Sequence, residues 1–304
     1  MIRLFDYIFL VRPTLLIPGW TFLLLGYNRG ILLNRGEALH QPFLPAFLLS
    51  TFMMGGIYIL NQIIDIESDK INKKLYLLSE GYVKVSHAWI ELILLFVIAF
   101  VLVIPYSNQF KTILFLSFIF GILYSTPPFK LKGKPFLDFL SNSIGYGVIA
   151  FALGWVIGNP LSKATLLYSL PYFFAIAGVF INTTIPDIEG DKQTKEITTG
   201  VVLGKKSYLL STVFVFISFV LSVYLCDWVC GVASMVALPL FLLATINIKR
   251  DLKYCFISTR VSAPVLPLLV GFKFGWFIPL LVLVVLAMRL YYKHRFNIIY
   301  PKIT

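Results

Sequence analysis

Nine runs of about twenty mostly apolar residues succeed one another along this chain. They lie near positions 8–27, 44–64, 88–105, 109–125, 137–157, 164–186, 207–225, 229–247 and 271–291. A helix crossing a bilayer needs about 20 such residues. Lipid cannot satisfy backbone N–H and C=O groups, so runs of this length fold as helices. Of the 304 residues, 59% are hydrophobic and 13% charged, where a soluble domain carries roughly a quarter charged. The expectation is an all-α membrane protein of nine transmembrane helices. No linker or low-complexity tract divides it, so one domain should cover 1–304. The first apolar run carries Asp6 and Arg12 and no small-residue cleavage site follows, so it is expected to be retained.

The net charge of +12 does not point to nucleic acid, because the basic residues fall between the apolar runs and form no separate domain. Their distribution reads instead as membrane orientation. Nine spans place the termini on opposite sides. The N-terminal end and the loops 65–87, 126–136, 187–206 and 247–262 carry 17 Lys and Arg; the other side carries 8. Arg289, Lys293, Arg295 and Lys302 belong to that smaller group and argue against the assignment, but they are outvoted. The N-terminus is expected in the cytoplasm, in a plasma-membrane protein. The three cysteines match no zinc or redox spacing, with Cys255 in a loop. Gly145, Gly147, Gly154 and Gly158 are placed to let helices approach closely.

Two acidic hexapeptides stand out from this apolar background: Asp65-Ile-Glu-Ser-Asp-Lys70 and Asp187-Ile-Glu-Gly-Asp-Lys192. Each ends a long apolar run, and each has a polar residue four positions upstream, Asn61 or Thr183. Carboxylates there are costly unless a cation or a watery cavity compensates them. Their repetition divides the chain into two halves, with motifs at 61–69 and 183–191. Asn61, Asp65 and Asp69 share one helical face, drifting about 40° per step over about 12 Å. Asp187 and Asp191 do the same over one turn, and Pro186 should kink the helix before them. Glu67 and Glu189 point elsewhere. Carboxylates with an amide oxygen form a hard ligand set that suits Mg²⁺, with substrate phosphate completing the shell. No His or Cys lies near them in sequence, which argues against softer metals. An EF-hand fails, because its sixth position is Lys70 or Lys192 and its twelfth is Tyr76 or Thr198.

The pattern Asn61-x-x-x-Asp65-x-x-x-Asp69, then Lys70-Ile-Asn72, then Asp187-x-x-x-Asp191 with Gly190, resembles the UbiA superfamily of intramembrane prenyltransferases. The likeness extends to Arg12-Pro13, to Tyr124-Ser-Thr-Pro-Pro-Phe-Lys130-Leu-Lys132 and to Leu203-Gly204. The resemblance implies nine helices around a central cavity, with both motifs facing each other at its cytoplasmic mouth. It implies catalysis at Asp65, Asp69, Asp187 and Asp191, which with Asn61 would hold two or more Mg²⁺ ions bridging a polyprenyl diphosphate. The allylic cation formed on ionisation is attacked by a small lipophilic or aromatic acceptor, first among them a quinone-type precursor. A glycerophosphate ether lipid or a haem or chlorophyll precursor are the alternatives. The chain departs from the family after the first motif. Many members carry Arg-Pro-x-Arg-Pro-Ile-Pro-Ser-Gly there, where this chain has Lys73-Lys-Leu-Tyr-Leu-Leu-Ser-Glu-Gly81.

Further substrate-binding candidates follow from position. Arg12 lies within the first span and either binds diphosphate or snorkels to the interface. Lys73 and Lys192 each follow an acidic motif, as phosphate contacts or as topology signals. Lys130 and Lys132 are divided in the same way. Tyr124 would stabilise a cation by its ring face or hydrogen-bond the acceptor, or is an interfacial aromatic. Asn142 and Tyr146, one turn apart, are expected to line the cavity. The rival from another class is an ion-coupled transporter, which repeated halves also fit. Its polar residues would sit mid-membrane, whereas these motifs sit at span ends. A CDP-alcohol phosphotransferase is excluded by the absence of its Asp-Gly…Ala-Arg…Gly…Asp…Asp pattern. Oligomeric state is not readable.

Overall fold

In a computed structural model the chain is described over residues 2–34, 36, 41–71, 76–193, 196–247, 252–298 and 300. Helices follow in the order α1 (Ile2–Leu10), α2 (Pro13–Leu33), α3 (Phe43–Ile64), α4 (Ile66–Ile71), α5 (Tyr76–Ser79), α6 (Val85–Leu102), α7 (Asn108–Ser125) and α8 (Leu137–Asn142). A π-helical segment, Ser143–Ala150, leads into α9 (Phe151–Gly158). Then come α10 (Lys163–Thr184), α11 (Ile188–Gln193), α12 (Thr199–Leu203), α13 (Lys206–Tyr224), α14 (Trp228–Ile246), α15 (Lys253–Ser262), α16 (Val265–Lys273) and α17 (Phe277–Phe296). Among the described residues eight helices are long and apolar enough to cross a membrane, and α1 with α2, bent by 42°, makes a ninth. The bend falls at Arg12, whose φ of 54° takes the chain out of the helix just before Pro13.

Up to residue 246 each expected run meets a helix, but α7, an 18-residue helix where 109–125 was expected, is not among those nine and stands as a tenth rod. A further difference lies beyond. The stretch expected as a loop over 247–262 contains α15, so Cys255 is helical and buried, and Lys253–Lys273 is a membrane-length rod. The last helix accordingly moves from the expected 271–291 to 277–296. Lys253 and Arg260 mask the apolar signal, but the polar groups of α15 have an internal partner. The Asn182 amide donates to Ser258 Oγ at 2.7 Å, to Thr259 Oγ1 at 3.0 Å and to the Cys255 carbonyl at 3.2 Å.

The added rod brings the chain end back to its beginning. Asp6, only 1% exposed, accepts from Tyr291 at 2.5 Å and from both Nε and an Nη of Arg295 at 3.2 Å. Arg295 also stacks 4.6 Å over Tyr82, just past the first acidic motif. Lys293 and Arg295, which on the sequence argued against the charge asymmetry, thus lie on the motif side and add to it.

Close backbone approach holds α2 to α9. A Cβ on Gly26 would stand 1.8 Å from the Phe151 carbonyl oxygen, and one on Gly154 would stand 1.8 Å from that of Leu23. Only glycine fits there. Gly147 and Gly158 are similarly crowded, but Gly145 has nothing within 4 Å and borders a cavity instead. At the end away from the motifs, Asp227 accepts from Tyr172 at 2.5 Å and pairs with Arg29 at 3.5 Å, joining α2, α10 and α14.

Candidate active site

A cavity of about 420 Å³ runs inside the bundle, walled by apolar residues of α2, α3, α7, α9, α10, α14 and α16. One end is polar: Arg12, Asn61, Tyr124, Asn142 and Tyr146 line it, as does Tyr58, which sequence reasoning missed. Its signal was there, since Tyr58 precedes Asn61 by three positions and shares its helical face. Asn61 donates through Nδ2 to Ser125 Oγ at 3.2 Å, leaving its carbonyl oxygen to act as a ligand. Tyr146 sits on the π-helical turn, a geometry that recurs where a helix presents a functional side chain. Asn142, which like Tyr146 was expected on the cavity, donates to Tyr124 Oη at 3.2 Å. The Arg12 Nε is buried with no hydrogen-bond partner. Arg12 as a whole is half-buried.

The first motif keeps its helical hydrogen bonds across a break at Asp65, whose N–H donates to the Asn61 carbonyl at 3.0 Å while its own carbonyl takes the Asp69 N–H at 2.8 Å. The shared face therefore survives the break. Asp65 and Asp69 are half-buried and Glu67 is exposed, as the helical phase requires. At the second motif the helix stops at Thr184, and the break at Pro186 is complete, a turn rather than a kink. Thr183 turns its hydroxyl back to the Phe180 carbonyl. Asp187 is exposed and Asp191 half-buried. Asp191 Oδ2 accepts from Thr198 Oγ1 at 2.7 Å, and its carbonyl takes the Glu196 N–H at 2.9 Å.

The segment 126–136 straps the two motifs together. Lys132 pairs directly with the Asp65 carboxylate, and both are about 15% exposed. Lys130 reaches Glu196 at 2.9 Å. Asp138, at the start of α8, is 4% exposed and accepts from the Thr199 N–H at 2.6 Å and from the Thr199 hydroxyl. Glu196, Asp138 and Thr199 were not foreseen, because each owes its place to a partner some 60 positions away. Among the described residues no three His, Cys, Asp or Glu side chains gather closely enough to share a metal. Carboxylates brought together without a cation repel, and Asp65 is instead held by a lysine. Lys192 does not enter the cavity. It pairs with its own neighbour Glu189 at 3.3 Å and is 53% exposed, since on α11 these positions share the outer face. Lys73 lies outside the described residues.

The model of the UbiA prenyltransferase family matches residues 15–256, most of the chain. The chain belongs to this family. UbiA relatives include a chloroplastic 2-acyl-4-prenylphloroglucinol 6-prenyltransferase of Humulus lupulus, 32% identical over 179 residues, 53% of this chain and 42% of the relative. A digeranylgeranylglyceryl phosphate synthase of Sulfolobus acidocaldarius is 31% identical over 170 residues, 54% of this chain and 58% of the relative. The chain thus spans about half the length of the curated relatives it matches. The UbiA homolog from Archaeoglobus fulgidus, solved with GPP and Mg²⁺, superposes with a TM-score of 0.68 at 20% identity, over 89% of this chain and 98% of that one. At that identity the likeness concerns the fold.

Proposed function

We propose that this chain transfers a prenyl group from a polyprenyl diphosphate to an acceptor inside the bundle, in a plasma membrane with both acidic motifs on the cytoplasmic side. The observation that carries this reading is the strap. Lys132 reaches Asp65 of the first motif, whose Asn61 lines the polar end of a single apolar cavity, and Lys130 on the same strap reaches Glu196, just past the second motif. A transporter needs a path through the membrane midplane, whereas here the charge stands at one mouth.

The donor set fits Mg²⁺. Asp65, Asp69, Asp187, Asp191 and the Asn61 carbonyl are hard oxygens, and Asp65 already takes a cation as its partner. Two or more ions would neutralise the diphosphate and make it a better leaving group. The remaining work falls to side chains of this chain. Lys132 and Lys130 lie where they can turn from carboxylates to phosphate oxygens. The Arg12 Nε–H has no partner in the protein and is free to donate to bound substrate. The allylic C–O bond breaks with its electron pair on the diphosphate, the acceptor bonds to the freed carbon, and the acceptor releases a proton. The ring face of Tyr124 can stabilise positive charge on that carbon. Apolar walls exclude the water that would otherwise quench it.

An aromatic, quinone-type acceptor is the first reading. A glycerophosphate ether lipid is the second, favoured by the likeness to the Sulfolobus enzyme. The deciding experiment incubates the full chain in nanodiscs with labelled geranylgeranyl diphosphate, Mg²⁺ and both acceptor types. Mass spectrometry of the lipid extract should find a prenylated product that disappears in excess chelator. Tight diphosphate binding that is indifferent to chelator, with no product, would leave a lysine-based anion pocket instead.

A further inference from the structure

Tyr58 and Tyr146 both line the cavity, and their hydroxyl oxygens lie 2.8 Å apart. Tyr58 Oη also lies 2.7 Å from the carbonyl oxygen of Leu15. A carbonyl oxygen only accepts, and a phenol has a single proton. Tyr58 therefore donates to Leu15, and the proton between the two phenols comes from Tyr146. Tyr146 is left with lone pairs and no proton for any third group. It is an acceptor only.

Tyr124, on the same cavity, has the opposite polarity. Its oxygen accepts from Asn142 Nδ2, which also donates to the Asp138 carbonyl at 2.8 Å. Both amide protons are thereby engaged, and the Tyr124 proton is left to donate. With the unpartnered Arg12 Nε–H, the polar end of the cavity offers donors at Tyr124 and Arg12 and an acceptor at Tyr146. A carboxylate or phosphate oxygen placed against Tyr146 would set lone pair against lone pair. A hydroxyl group fits.

We infer that the prenyl acceptor is held by a hydroxyl group donating to Tyr146 Oη, and that Tyr58 is the positioning residue that sets this polarity. The inference rests on the prenyl-transfer reading only for the occupant of the cavity. Both proposed acceptor types can meet the requirement, one with a phenol and the other with a glycerol hydroxyl. An acceptor presenting only an anion or an ether at this point cannot.

The test measures binding to the full chain in nanodiscs, with Mg²⁺ and a non-transferable geranylgeranyl diphosphate analogue present. The probes are a 2-acylphloroglucinol and a glycerol monoether, each beside its fully O-methylated counterpart. Wild type should bind at least one free-hydroxyl probe roughly tenfold more tightly than its methyl ether, the discrimination expected when a buried acceptor is left unpaired. Tyr146→Phe should bring that ratio close to one. Tyr58→Phe leaves Tyr146 in place but frees its proton, and should lower the ratio severalfold without changing affinity for the prenyl analogue. A purely structural role for Tyr58 would lower both affinities and leave the ratio alone. Equal binding of every pair by wild type overturns the inference, as does an unchanged ratio in Tyr58→Phe. If Tyr58→Phe does not fold, the infrared difference between wild type and Tyr146→Phe decides. The C–O band of Tyr146 must be that of a donating phenol, and an accepting one overturns the assignment. Should the ratios behave as stated while no prenyl is ever transferred, the proposed function falls, and what stands is a hydroxyl-binding polarity at Tyr146 with another occupant.

Discussion

Lys130 Nζ lies 2.9 Å from Glu196 Oε1, a contact that closes 66 positions of chain and fastens the strap just past the second acidic motif. Both side chains are about one-third exposed, so the pair adds only about 0.2–1 kcal/mol to stability. Its consequence is geometric. Lys130→Glu or Glu196→Lys should lower prenyl transfer severalfold with little change in melting temperature, and the double exchange should recover part of the loss. Equal activity of both single variants and wild type would separate the strap from the reaction.

The Lys132–Asp65 pair is more buried and should behave differently. Without Mg²⁺, Lys132→Ala leaves a half-buried carboxylate with no cation, which is destabilising. The variant should therefore melt below wild type in chelator, and the gap should narrow when Mg²⁺ is added. A gap independent of Mg²⁺ would mean that the lysine and the metal do not share Asp65.

Loss of any one metal-facing carboxylate should be severe. Asp65→Ala, Asp69→Ala, Asp187→Ala and Asp191→Ala should each lower turnover roughly 10²–10³-fold, by comparison with deleting one electrostatic group at a transition state. Glu67 and Glu189 are exposed, and their alanine variants should stay near wild type. Steady-state rates on labelled prenyl diphosphate check this, and near-normal turnover in two of the four aspartate variants would refute the site.

Gly154 and Gly145 make an internal control. A side chain at Gly154 meets the Leu23 carbonyl, whereas Gly145 has nothing within 4 Å. Gly154→Ala should cost about 1–3 kcal/mol through overpacking, read as a lower melting temperature in detergent. Gly145→Ala should leave stability nearly unchanged.

Sidedness is tested by labelling. Cysteines at positions 72, 195 and 293 should all react from the cytoplasmic side, and one at position 35 from the other. Position 293 is decisive, because the Asp6–Arg295 contact sets the C-terminal end beside the N-terminal one. Protection of position 293 with labelling of position 72 would contradict that closure.

The linear sequence carried whatever depends on local period and chemistry. Apolar runs of membrane length announced the helices, because lipid allows a spanning backbone no other open form. The spacing of Asn61, Asp65 and Asp69 announced their common face, and Glu67 and Glu189 duly point away from it. Tertiary structure alone decided matters that turn on distant partners. Helix α15 is legible only once Asn182 is seen to take up its polar groups. Lys192 turned out to serve its neighbour Glu189 while Lys132 took Asp65, although on the sequence the two lysines looked alike. The polarity of Tyr146 depends on a carbonyl of another helix reached through Tyr58. Hydrogen bonds and ion pairs are fixed by direction and distance in space, and residues 60 to 290 positions apart leave no periodic trace of such a meeting in the chain.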